Sequence, residues 1–222
     1  MIAASGLRWV LSLMFAVPVV YGMWKVVAPG AGVAERVDHV LHAVMGVLMI
    51  AMAWPRGMDL PVLPQVALFA AGALWFLAAA PFRAPGVSRG RAVYTALPHV
   101  VMMSAMAWMV SAMGSSGKMS GAAGSGGMHD MAGMDMAGGS GLASMSLTGA
   151  GPVATAVLLA IVLGGLGLVW LTRALDVARD RHGEERPAEG DCATPAGPVG
   201  ALAPACHAAM ALGMAVMFAL LA

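Results

Sequence analysis

Three segments of the chain carry the same four residues at the same spacing. His42, Met45, Met49 and Met52, then His99, Met102, Met106 and Met109, then His207, Met210, Met214 and Met217 all read H-x2-M-x3-M-x2-M. On an α-helix, offsets of 3, 7 and 10 from the histidine return to one stripe about 80° wide and about 15 Å long. One imidazole and three thioethers on a single face form a soft, uncharged donor set. Such donors select Cu(I), with Ag(I) as its nearest mimic. Hard cations want oxygen, and zinc prefers thiolate, imidazole or carboxylate. A methionine stripe on one helix is most simply a packed face, because Met fills irregular gaps. Packing alone does not require three stripes that each begin with a histidine.

Further soft donors lie outside the stripes. Met128, His129, Met131, Met134 and Met136 crowd into nine residues of a Gly/Ser/Met-rich segment, a composition suited to a mobile metal-capture tract. Cys206 adjoins His207, and His39 lies one turn ahead of His42. Either is placed to accept an ion from the histidine end of the stripes. Met113, fourteen residues after His99, prolongs one stripe at the other end.

Composition dictates what must hold these residues. The 222 residues are 60% hydrophobic and 10% charged, whereas a soluble domain carries about 25% charged residues. This excludes an ordinary soluble domain, and a net charge of +1 excludes a basic nucleic-acid surface. A bilayer crossing needs about 20 mostly apolar residues, and six such stretches fall near 7–27, 38–54, 62–80, 93–113, 151–172 and 201–222. The second ends at Trp54-Pro55, because proline cannot continue a helix. The first is read as a retained helix, since its apolar run is longer than that of a secretory signal and lacks a cleavage motif. Cys192 and Cys206 are too few for a disulfide scaffold and read as free thiols. Of the 21 methionines, the stripes take nine and the segment 114–150 takes six.

The expected fold is an all-α integral membrane protein, a single membrane domain over residues 1–222 in the cell membrane. Its side follows from Lys and Arg, which concentrate in cytoplasmic loops. With the N-terminus outside, nine fall inside (Lys25, Arg36, Arg83, Arg89, Arg91, Arg173, Arg179, Arg181, Arg186) and three outside (Arg8, Arg56, Lys118). Both termini and a mobile loop 114–150 are then extracellular. Loop 173–200 is cytoplasmic, its first two turns continuing helix 5. The second, fourth and sixth helices share a direction, so three hairpins can repeat around a pseudo-threefold axis with the stripes facing inward. Four stacked rings follow, a ring of three histidines at the cytoplasmic side and three rings of three methionines beyond it, about 4.5–6 Å apart. Such a ladder suits Cu(I) transport, with import as the expected direction, because conduction needs sites firm enough to enter and weak enough to leave. The expected partners are copper ions, the lipid bilayer and a cytoplasmic or extracellular copper chaperone, with no nucleic acid. One alternative is a membrane Cu(I) store or chaperone that loads a partner oxidase. Another is a haem-binding electron carrier, since His and Met are also axial haem ligands, although that leaves the ladder methionines unused. No H-E-x-x-H, G-x-S-x-G, P-loop or dinucleotide fingerprint occurs, so no enzyme is expected.

With MHDMAGMDM in the outer segment and H-x2-M-x3-M-x2-M in the helices, the plan resembles in its chemistry the high-affinity copper transporter (Ctr) family. That family has a Met-rich extracellular segment, Met triads around a threefold pore and His/Cys at the cytoplasmic exit. It builds its pore from three subunits of three helices and uses M-x3-M, whereas this chain would build the ring alone. Over the whole chain, DHVLHAVMG, LPHVVMMSAMAW and the Ala/Gly/Arg-rich composition look similar to an uncharacterised actinobacterial family of small polytopic membrane proteins.

Overall fold

The structure, a computed structural model, describes residues 2–30, 32–54, 60–83, 88–122, 150–183 and 199–222. They form six helices, α1 (Ile2–Val27), α2 (Val33–Ala53), α3 (Val62–Arg83), α4 (Arg89–Ala122), α5 (Ala150–Gly183) and α6 (Val199–Leu221). Each contains a stretch long and apolar enough to cross a membrane. The described residues are therefore all-helical in their regular structure, with six candidate membrane spans.

The helices overrun the apolar stretches at several ends. Residues 114–122, expected in a mobile loop, continue α4 as helix. They contain no proline, and once a helix is nucleated each further residue adds one hydrogen bond. The loop expected at 173–200 likewise begins as helix. The good helix formers of RALDVARDRHG carry α5 to Gly183, about three turns past Thr172 where two were expected. α2 begins at Val33 rather than near residue 38, with Glu35 in its first turn, where a carboxylate complements the positive end of the helix dipole. It stops as expected: Trp54 is extended, at φ −109° and ψ 146°, the region to which a following proline confines its neighbour.

The helices pack chiefly as consecutive pairs, α1 with α2, α3 with α4 and α5 with α6. Each odd helix also leans on a second even one, α1 on α6, α3 on α2 and α5 on α4. This alternation puts the even helices inside. Buried residues make up 39%, 39% and 50% of the apolar windows of α2, α4 and α6, against 22% in each odd helix. The odd helices turn apolar faces outward, as Trp9, Leu13, Val17 and Val20 of α1 do at 55–68% exposure. Such a face suits lipid and would be costly in water.

Small residues set the closest approaches, as is common where helices associate in membranes. A Cβ on Gly46 of α2 would lie 2.6 Å from Val19 Cγ2 of α1. A Cβ on Gly213 of α6 would meet the Phe15 ring of α1. At one end of the α1–α2 pair, Trp54 Nε1–H donates to Ser12 Oγ at 3.1 Å, and Trp9 packs edge-on to Trp54 with ring centroids 5.4 Å apart. These contacts fix α1 against both α2 and α6.

Candidate metal centre

The histidines that head the three stripes meet. Ring centroids lie 5.2 Å apart for His42 and His99, 5.0 Å for His42 and His207, and 4.9 Å for His99 and His207. The rings stand at 87–88° to one another. One nitrogen from each ring falls within 4.8 Å of the other two. Three residues separated by 57 and 108 positions in the chain are thus gathered into one nearly equilateral triangle.

Backbone carbonyls orient two of the rings. His42 Nδ1–H donates to the Asp38 carbonyl at 2.7 Å, and His207 Nδ1–H donates to the Ala203 carbonyl at 2.8 Å. A carbonyl accepts only from a protonated nitrogen, so Nε2 of each ring keeps the lone pair that a metal would use. Metal-binding histidines are commonly held in this way through their second nitrogen. The Asp38 turn is itself pinned from α3, where Trp75 Nε1–H donates to Asp38 Oδ1 at 2.8 Å.

Aromatic rings close two flanks of the triangle. Phe76 of α3 lies 5.3 Å from His42 and stacks on His99 at 5.1 Å. Trp170 of α5 lies 5.7 Å from His99 and 5.2 Å from His207. Sequence reasoning missed both, because one aromatic in an apolar helix carries no periodic signal. No aromatic contact covers the third flank among the described residues, and a cavity of about 230 Å³ lined by all three histidines extends to Cys206, His39 and Glu35. His39 Nε2 lies 3.7 Å from Glu35 Oε1, an i,i+4 pair that spacing alone could have flagged.

Beyond the histidines, all nine stripe methionines enter one buried core cluster. Met45, Met49, Met102, Met106 and Met214 are fully buried, Met210 and Met109 nearly so, and Met52 and Met217 are at most 5% exposed. Each stripe therefore faces inward along its whole length. Met113 packs against the same cluster in partly buried form. Met103, to which the stripes assign nothing, is also buried, its Sδ 3.2 Å from where a Cβ on Gly72 would sit; the glycine in α3 makes room for it. Cys206 is 5% exposed. Met128, His129, Met131, Met134 and Met136 lie outside the described residues.

Chemically, the arrangement offers three clustered imidazole nitrogens and nine thioethers that share one buried cluster. The donors are neutral and soft to borderline, which fits a monovalent soft cation better than a hard one. Thioethers carry no proton to displace, so occupancy along the stripes would not require deprotonation.

Among known proteins, the chain is 35% identical over 108 residues to the uncharacterised proteins Rv0970 of Mycobacterium tuberculosis and Mb0995 of Mycobacterium bovis. The match covers 48% of this chain and 50% of each relative, so the chain spans about half the length of the curated relatives it matches. No solved structure matches. The likeness to Ctr rests on donor chemistry alone. Residues 34–221 match the family model described as Domain of unknown function (DUF5134). That span takes in five of the six helices and all three histidine–methionine stripes, and the chain belongs to the DUF5134 family.

Proposed function

We propose that the chain moves Cu(I) across the cell membrane along a column formed by α2, α4 and α6. One observation carries this reading: three histidines far apart in sequence converge to 4.9–5.2 Å at the head of three stripes whose nine methionines all share one buried cluster. The three hairpins are read as repeats around a pseudo-threefold axis, which stacks the side chains as one ring of three histidines and three rings of three methionines. Met113 adds a donor at the far end. Three sulfurs per level offset the cost of a charge at mid-membrane, at least about 2.5–3.5 kcal/mol. They do so without the grip of thiolates, as stepwise release requires.

The orientation is argued from the nine-to-three distribution of Lys and Arg, which sets both termini and residues 114–150 outside and the histidine end toward the cytoplasm. Met128, His129, Met131, Met134 and Met136 then serve as the capturing tract and the movement is import. Cys206 and His39 receive the ion at the inner end, and a cytoplasmic chaperone carries it away. The protein acts as a conduit and not as an enzyme.

A second reading, a membrane store that loads a partner oxidase, is favoured by the depth of burial, since five of the nine methionines have no exposed surface. Sealed proteoliposomes that enclose a Cu(I)-sensitive dye separate the two. Saturable Cu(I) entry supports transport. Tight binding of several ions without entry supports storage. Absence of both binding and entry overturns the copper reading.

A further inference from the structure

The histidine triangle is not equally enclosed on its three sides. Phe76 covers the flank between His42 and His99, and Trp170 covers the flank between His99 and His207. The remaining flank, between His42 and His207, faces α1. There the chain presents Pro18 and Gly22, which line a cavity of about 230 Å³ together with all three histidines, Phe76 and Met210. Gly22 is needed for this geometry, because α1 runs so close to α2 that a Cβ at Gly22 would lie 3.1 Å from the His39 carbonyl oxygen. Past Gly22 the cavity is lined by Cys206, Tyr21, His39 and Glu35. The His39 side chain is 20% exposed and that of Glu35 is 53% exposed, so the far end meets solvent.

We propose that this cavity is a vestibule through which a cation is exchanged with the histidine triangle from the α1 side. The inference rests on the triangle being an ion site. The vestibule changes character along its length. Glu35 puts a carboxylate at the solvent end, where negative charge concentrates cations. His39, in ring contact with Tyr21 at 6.0 Å, follows it. The Cys206 sulfur lies deeper, on the residue next to His207. Carboxylates of Glu35 and Asp38 thus share the cavity with four imidazoles and the Cys206 sulfur, and the nitrogen and sulfur donors favour a soft or borderline cation over Na+ or Mg2+. Aromatic rings cover only two of the triangle's three flanks, which leaves the α1 side for exchange.

The test uses the full chain with Cys192→Ser, so that Cys206 is the sole thiol. Its labelling is followed with two methanethiosulfonates of similar size, one bearing an ammonium and one a neutral hydroxyl. In either reaction the Cys206 thiolate forms a disulfide with the reagent and methanesulfinate leaves. The proposal expects Cys206 to react despite its burial, the ammonium reagent to react faster, and Ag(I) to protect it. Glu35→Lys should lower the ammonium-to-hydroxyl rate ratio at least about fivefold at low ionic strength, with the effect lost at high salt. Glu35→Gln should fall between the two. An unreactive Cys206, or a rate ratio indifferent to both Glu35 substitutions, overturns the vestibule. Ag(I) binding to the whole protein, measured in parallel, separates this from the wider reading. If Ag(I) binds but does not protect Cys206, the vestibule is wrong and the ion column stands; if Ag(I) does not bind at all, both fall.

Discussion

Replacing Met49, Met106 and Met214 together by leucine removes the middle level of the proposed column and leaves everything else in place. All three side chains are fully buried, and Leu for Met nearly conserves volume, so each swap should cost less than about 1.5 kcal/mol of stability. The effect on ion movement should be far larger. Along the helices, the steps between successive methionine levels are about 6 and 4.5 Å; without the middle level an ion must cross about 10 Å with no sulfur to bind. An unliganded charge near mid-membrane costs at least about 2.5–3.5 kcal/mol. At about 1.4 kcal/mol per factor of ten, flux should fall roughly a hundredfold, while the outer and inner levels still bind. The assay is Cu(I) entry into proteoliposomes, with Ag(I) stoichiometry and thermal unfolding measured on the same preparations. A folded triple variant whose flux stays within twofold of the parent would refute the reasoning, because leucine supplies the same packing and none of the coordination.

Four further outcomes follow from the same geometry. His207→Ala should remove one ion from the total bound and weaken binding at the triangle by at least about tenfold, read by competition with a soluble Cu(I) chelator, since even loss of a group supporting a ligand costs about 10–100-fold. Acidification that protonates the imidazoles should expel the ion held by the triangle and spare ions held by thioethers, which take up no proton; metal content measured after dialysis at descending pH should therefore fall by a step and not to zero. Gly213→Ala should cost about 1–3 kcal/mol by driving a methyl group into the buried Phe15 ring, as overpacking does. Gly165→Ala, which meets nothing within 4 Å, should stabilise α5 by up to about 1 kcal/mol, and thermal unfolding in detergent compares the two.

Much of the inner face was legible because periodicity reports it directly. A histidine followed by methionines at 3, 7 and 10 has one helical reading, and three such runs on buried helices had to meet. Cys206 and His39 were legible as neighbours of the stripes, and both line the cavity beside the triangle. What surrounds the stripes was not legible. Phe76 and Trp170 sit on the odd helices, whose apolar faces toward lipid and toward the core have nearly the same composition, so nothing in the sequence says which aromatic turns inward. The open α1 flank depends on Gly22 and Pro18 lying opposite His42 and His207, a matter of how α1 crosses two other helices. Apolarity understates helix length: 114–122 and 173–183 are helical without being apolar. Met103 lies off the stripes, and the space that receives it is set by Gly72 of α3.

The central claim is that a soft cation occupies the buried column. Anomalous scattering from crystals soaked in Ag(I) tests it most directly. The account predicts peaks inside the bundle, one among His42, His99 and His207 and others between the methionines of α2, α4 and α6. Peaks confined to the protein surface, with none inside the buried cluster, would contradict it.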